Sequence, residues 1–72
     1  MDGARLLASY RRANGLSQSA AARAIGVHRG LVSRWEKRER RPNGDNRANI
    51  EQVTHGAVPA PAWLRNGHKP KE

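Results

Sequence analysis

The sequence contains no cysteine and no phenylalanine, and it has only six acidic residues against fourteen lysines and arginines. The absence of cysteine excludes a disulfide framework and a zinc site built on thiolates. The shortage of acid leaves a formal net charge of +8 on a chain of 72 residues, and eleven of the fourteen cations are arginine. So basic a chain favours a polyanionic partner, with an anionic membrane surface as the rival.

Large apolar residues are also scarce. Leucine, isoleucine and valine together number eleven, a content that usually indicates disorder in a chain so highly charged. Eleven alanines favour helix instead, because alanine has the best helix propensity and lets helices approach closely. There is no run of 18 apolar residues, and the first residues lack the order of a signal peptide. We therefore expect one small soluble domain in the cytoplasm.

The spacing of apolar residues predicts an all-α domain of four to five short helices. We expect helix 1 over residues 4–14 after an Asp2 cap, helix 2 over 18–25 after Ser17, and helix 3 over about 28–38. Asp45 is expected to cap helix 4 over 46–54, and a single helical turn fits residues 61–64. The domain spans residues 1–64 in this interpretation, and residues 65–72 form a disordered basic tail.

The third predicted helix has two different faces. At 100° per residue its apolar residues share one side, and among them Trp35 is expected in the core as the largest hydrophobe of a chain without phenylalanine. The other side has three cations, one hydroxyl and no acid: Arg29, Gly30, Ser33, Arg34 and Lys37. A helix fits the major groove of B-DNA, and arginine matches the guanine edge, so Arg29 and Arg34 are candidates for base readout.

The spacing between the second and third helices is that of a helix-turn-helix. Ala22 is small where the helices cross, Gly26 permits a positive φ in the turn, and Val32 fills the angle between the helices. With the residues Leu16–Gln18 before them and Trp35-Glu36 after them, this stretch resembles the Cro- and phage-repressor-like helix-turn-helix domains of the xenobiotic-response-element type. The later segments 50–54 and 56–58 are similar to the YdaS-like antitoxins.

The resemblance implies a lambda-repressor-like fold and a set of site residues. Helix 3 would read base edges with His28, Arg29, Gly30, Ser33 and Arg34. Ser17 and Gln18 at the start of helix 2, and Lys37, Arg40 and Arg41 after helix 3, would bind phosphates. Arg11 would pair with Glu36, the one acid on helix 3. The family usually has glycine just after helix 3 where this chain has Arg38, which predicts either a strained left-handed residue or a longer helix.

These features predict a transcriptional regulator that binds double-stranded DNA, a small Cro-like repressor acting as a dimer on an inverted repeat. The apolar residues left for a dimer contact are Val53, Val58, Trp63 and Leu64, and Trp63 fits the core equally well. An alternative is an antitoxin whose residues 58–64 bind a partner protein while the helix-turn-helix autoregulates. An RNA-binding role stays open, although exposed aromatic residues to stack bases are few.

Three other classes are disfavoured. His28, His55 and His68 lie far apart without cysteine, so we expect no metal site and no cofactor. The serines lack a persuasive histidine partner, so an enzyme is not expected. A membrane-surface role needs an apolar face opposite the cations, and helix 3 uses that face for packing, so we expect no membrane partner.

Overall fold

The computed structural model describes the backbone of residues 2–65 and the side chains of residues 2–63. This part of the chain contains helices and no strand: α1 (Gly3–Ala13), α2 (Gln18–Ile25), α3 (Arg29–Glu36), α4 (Gly44–Val53) and a 3₁₀ helix (Ala60–Arg65). The predicted all-α class is confirmed. None of the described helices has the length and apolarity that a membrane crossing requires. Of the predicted tail, residues 66–72 lie outside the described residues, and Arg65 ends the 3₁₀ helix.

Three of the helices begin at a side-chain cap. The carboxylate of Asp2 accepts the Arg5 amide at 2.8 Å, and the hydroxyl of Ser17 accepts the Ala20 amide at 3.0 Å. At α4 the cap is Asn43, whose side-chain oxygen accepts the Asn46 amide at 2.8 Å. The predicted cap at Asp45 is therefore wrong by two residues. Asparagine caps as well as aspartate does, and a carboxylate inside the first turn is also favourable to the helix dipole.

At the end of α3 the structure has the strained left-handed residue that was one of the two predicted alternatives for Arg38. The helix stops at Glu36, two residues earlier than predicted, because Arg38 adopts the left-handed conformation at φ 63°. A non-glycine residue there costs roughly 1–2 kcal/mol. The Arg38 guanidinium lies 2.6 Å from the second carboxylate oxygen of Asp2, so the same aspartate caps α1 and holds the residue that ends α3.

The core is built around two tryptophans. Trp35 of α3 and Trp63 of the 3₁₀ helix are 1% and 0% exposed, and their ring centroids lie 6.2 Å apart with planes tilted by 59°. The other large side chains that are fully buried are those of Leu7, Val32, Pro42, Ile50 and Val58. Trp63 thus belongs to the core, and its interpretation as a dimer contact is wrong.

Val58 is likewise unavailable to a second copy or a partner protein, because it is 0% exposed within the protomer. The buried Thr54 links the end of α4 to Val58. Its hydroxyl donates to the Ile50 carbonyl at 2.7 Å and accepts from the Val58 amide at 3.1 Å. Of the other predicted dimer residues, Val53 is half-buried against the core, and the side chain of Leu64 lies outside the described residues.

Gly3 provides the first prediction. A Cβ placed on Gly3 would overlap the six-membered ring of Trp63. We expect Gly3→Ala to lower the free energy of unfolding by about 1–3 kcal/mol, because the ring or α1 must shift to admit the methyl group. Urea denaturation followed by tryptophan fluorescence measures this. Gly30→Ala is the matched control, since Gly30 has no atom within 4 Å of the added carbon and alanine should stabilise α3 by about 0.5–1 kcal/mol. Equal effects of the two substitutions would refute the close contact.

Asp2 provides a prediction about acid. Burial acts to raise the pKa of its carboxyl group, but hydrogen bonds from Arg38 and the Arg5 amide outweigh burial and hold the pKa below its usual value. A lowered folded pKa stabilises the native state above the unfolded pKa of about 3.9, and this stabilisation is lost as the pH falls through the folded value. Asp2→Asn keeps the cap but not the charge, so it should cost roughly 0.5–1 kcal/mol at pH 7.

The measurement is thermal unfolding of both proteins across a pH series. The difference in melting temperature should be full above about pH 5 and should shrink toward zero below about pH 4, where the unfolded carboxyl group takes up a proton. Glu39→Gln, which removes an exposed carboxylate outside the ion pairs of the described side chains, is the matched control. A wild-type advantage that stays constant down to pH 2 would contradict the role of the charge.

Candidate nucleic-acid interface

α2 and α3 are joined by a tight turn at Gly26. This residue is the C-cap of α2 and has φ 93°, a conformation that glycine adopts without strain. The amides of Gly26 and Val27 both donate to the carbonyl of Ala22, at 2.8 and 2.9 Å. Ala22 is 2% exposed where the helices meet, and Val32 is fully buried in the angle between them. The three spacing residues of the helix-turn-helix therefore occupy the places for which their sizes suit them.

α3 has one buried and one exposed face. Val32 and Trp35 are buried, and Leu31 packs partly against the core. The opposite side exposes Arg29, Gly30 and Arg34, with Ser33 half-buried between them. The orientation predicted from the helical spacing, with Trp35 inward and Arg34 outward, is the one observed.

His28 precedes this face as the N-cap residue of α3. It is exposed, and its imidazole makes no capping hydrogen bond to the helix. The imidazole ring therefore does not cap α3. The five residues predicted to face base edges thus lie on or beside one surface. Ser33 is the least exposed of them.

The residues predicted to bind phosphate form two groups. Lys37, Arg40 and Arg41 are exposed in the connection from α3 to α4. Ser17 is exposed but uses its hydroxyl as the cap of α2, and Gln18 is half-buried with its amide nitrogen 3.1 Å from a Glu36 carboxylate oxygen. Gln18 is therefore held at the start of α2 by α3, which the sequence pattern did not indicate.

Glu36 is the centre of a hydrogen-bonded clamp between three helices. Arg11 of α1 donates from Nε to Oε2 at 2.8 Å and from Nη2 to Oε1 at 3.0 Å, a bidentate pair. Its Nη1 donates to the Leu16 carbonyl at 3.2 Å. The hydrogen bonds with Glu36 raise the pKa of Arg11 further above its ordinary value, so the guanidinium stays charged. The one acid of α3 is thereby neutralised at the edge of the basic face.

The loop after α3 is also anchored, in part by Arg47, a residue to which sequence reasoning gave no role. Pro42 is buried, and Arg47 of α4 donates to its carbonyl at 2.9 Å. Arg47 thus fixes the loop that carries Arg40 and Arg41. No pattern in the sequence distinguishes this arginine from the exposed ones, because its role depends on the return of α4 toward the loop.

No group of three histidine, aspartate or glutamate side chains that could hold a metal ion occurs within the described part of the chain. His55 is exposed after α4, where it has φ 54°, and His68 lies outside the described residues.

The clamp generates a prediction for stability. The side chains of Arg11 and Glu36 are 15% and 9% exposed, so removing one leaves the other charged and largely desolvated. We expect Arg11→Ala and Glu36→Ala each to cost about 2–4 kcal/mol, and the double variant to cost about 1–3 kcal/mol less than their sum. Urea unfolding of the four proteins completes the cycle. Arg12→Ala, at the neighbouring exposed arginine, should stay within about 0.5 kcal/mol of the parent. Additive losses would show that the two groups are not coupled.

Comparison with known proteins agrees with this geometry. The helix-turn-helix family model, of the Cro/C1 type, matches residues 7–54, which include the later part of α1 and all of α2, α3 and α4. Searches of curated proteins and of solved structures returned no match. Because the matched region covers two thirds of the chain and contains both helices of the motif, the chain belongs to the Cro/C1-type helix-turn-helix family of DNA-binding regulators.

Proposed function

We propose that the protein is a small transcriptional repressor that reads double-stranded DNA with α3 and binds an inverted repeat as a dimer. The observation that carries this proposal is the exposed face of α3. Arg29 and Arg34 project from it beside Gly30, the core takes the opposite face, and the only acid of the helix is bound by Arg11. Such a DNA partner would place the working protein with the chromosome in the cytoplasm.

The dimensions of α3 suit the major groove. An α-helix with its side chains is about 10–12 Å in diameter, which fits the roughly 12 Å width of that groove, and the eight residues of α3 make a helix about 12 Å long. Gly30 has open space around it, so the backbone can come close to the base edges at that point. Arg29 and Arg34 stand on opposite edges of the face and would contact different base pairs. Ser33 and His28 would supply shorter contacts between and before them.

The exposed cations after α3 are suited to phosphate. Lys37, Arg40 and Arg41 lie in sequence beyond the base-reading face, on a loop held by Pro42 and Arg47. Arginine and lysine on a fixed loop supply affinity that is independent of base sequence. Ser17 and Gln18 would contact the backbone on the other side of α3, at the start of α2.

The proposed dimer follows from size and symmetry. One protomer is 34 Å along its longest axis, and half-sites in the major groove are about 34 Å apart, so two protomers on successive turns can meet. With Val58 and Trp63 in the core, Val53 is the predicted contact residue that keeps partial exposure among the described side chains. So limited an apolar contact favours assembly of the dimer on DNA over a dimer stable in free solution. Occlusion of a promoter would then account for repression.

Selection of binding sites from a random duplex pool, followed by titration of variants, tests this function. We expect an inverted repeat with half-sites about 10 base pairs apart or a multiple of that. Arg29→Ala and Arg34→Ala should each lose about 1–3 kcal/mol on the selected site and relax one base preference, with little change on random duplex. Lys37→Ala and Arg41→Ala should weaken binding to both duplexes alike.

The comparison between the two duplexes is the internal control, because all four variants remove one positive charge. Equal losses on selected and random DNA for Arg29→Ala would remove its base-reading role. A selected pool without sequence preference would contradict the repressor function, and a reporter gene carrying the selected site at its promoter should be expressed less when the protein is present.

A further inference from the structure

A second basic surface lies outside the helix-turn-helix face. A cavity of about 370 Å³ opens between α1 and the carboxyl end of α3. It is lined by Arg5, Ser9 and Arg12 of α1, by the small residues Ala4 and Ala8 of the same helix, and by Glu36 and Arg38 at and beyond the end of α3. We call this the α1 groove. The alanines of its lining leave room for a group to sit among the arginines.

The charge of the α1 groove is positive despite the acid at its edge. Both oxygens of Glu36 accept hydrogen bonds from Arg11, and Arg38 is paired with Asp2. Arg5 and Arg12 are exposed, and neither forms an ion pair with a carboxylate among the side chains of residues 2–63. The groove therefore presents two uncompensated guanidinium groups and the hydroxyl of Ser9. That donor set suits an anionic oxygen ligand such as a phosphate.

We propose that the α1 groove binds backbone phosphates of the same DNA duplex, next to the phosphates held by Lys37 and Arg41. The inference rests on the proposed function and extends its interface to α1. Arg38 lines the groove and directly follows Lys37, the exposed C-cap residue of α3, so the groove begins where the base-reading helix ends. This continuity favours the duplex over an acidic segment of a protein, which would have no reason to lie beside α3.

The separation of the two free arginines agrees with contact along a DNA strand. Arg5 and Arg12 are seven residues apart on α1, which places their Cα atoms about 10 Å apart along the helix axis. Phosphates on one strand recur every 3.4 Å of duplex axis, so the two side chains would reach different phosphates. The role of Ser9 between them is to donate one hydrogen bond without adding charge.

The test measures the salt dependence of binding to the duplex selected above. Each phosphate contact that is lost lowers the slope of log K against log salt concentration by about 0.9. Arg5→Gln and Arg12→Gln should each lose about that much between 50 and 200 mM salt. The matched control is Arg23→Gln, which removes an exposed arginine of α2 that does not line the groove and so should leave the slope near the parent value. In ethylation interference on the same duplex, one phosphate whose ethylation weakens binding of the parent protein should have no effect on binding of Arg12→Gln.

Each other outcome overturns the inference. Slopes and interference patterns for Arg5→Gln and Arg12→Gln equal to those of Arg23→Gln would show that α1 does not touch DNA, while the α3 function stands. If Arg5→Gln and Arg12→Gln lose binding to a polyglutamate peptide while their DNA binding is unchanged, the groove binds an acidic protein. A third outcome is that inorganic phosphate displaces the duplex more than chloride does at equal ionic strength. If Arg23→Gln keeps this displacement and Arg12→Gln loses it, the groove binds a free anion. A parent protein that binds no duplex would overturn the proposed function as well.

Discussion

The contact between Trp35 and Trp63 is the constraint on which the rest of the structure depends. A chain with so few large hydrophobes has to place both indoles inside to form a core, and both are at most 1% exposed. Because Trp35 belongs to α3, its burial fixes the rotation of that helix about its own axis. The arginines on the opposite side then face outward without any interaction of their own to hold them there. The composition of the core thus determines the direction of the functional face.

The clamp around Glu36 solves a second problem, which is how a basic helix can carry an acid beside DNA. A free carboxylate at the edge of α3 would repel phosphate, and a buried one without partners would be costly. The bidentate contact with Arg11 and the hydrogen bond from Gln18 satisfy both of its oxygens. The same contacts join α1 and α2 to α3. Removal of the Glu36 carboxylate would therefore loosen the position of α3, although it would also remove a negative charge from the edge of that helix.

Local patterns were sufficient to predict the parts of the fold that depend on neighbouring residues. The bounds of α2, the turn at Gly26 and the two faces of α3 follow from caps and helical spacing, and the structure has them in those places. At the end of α3 the sequence left two outcomes open, a left-handed Arg38 or a longer helix, and the structure has the first. The ion pair of Arg38 with Asp2 joins residues 36 positions apart in sequence, and nothing near Arg38 indicates that partner. The placement of Trp63 against Gly3 has the same origin, and both concern contacts between distant segments.

The same distinction, between features set by neighbouring residues and features set by distant contacts, applies to the candidate site. Exposure of Arg29 and Arg34 follows from helical geometry, whereas the division of cations between bases and phosphates depends on how a duplex lies on the protein. The fold does determine the hydrogen-bond partners of several acidic side chains. Asp2, Glu36 and Glu51 are drawn into hydrogen bonds within the fold, the last of them to the amide of Ala60 at 3.2 Å. Of the five acids with described side chains, three thus serve to hold helices together. Most of the positive charge of the described side chains remains on the surface, where it acts on a polyanion over a distance set by the salt concentration.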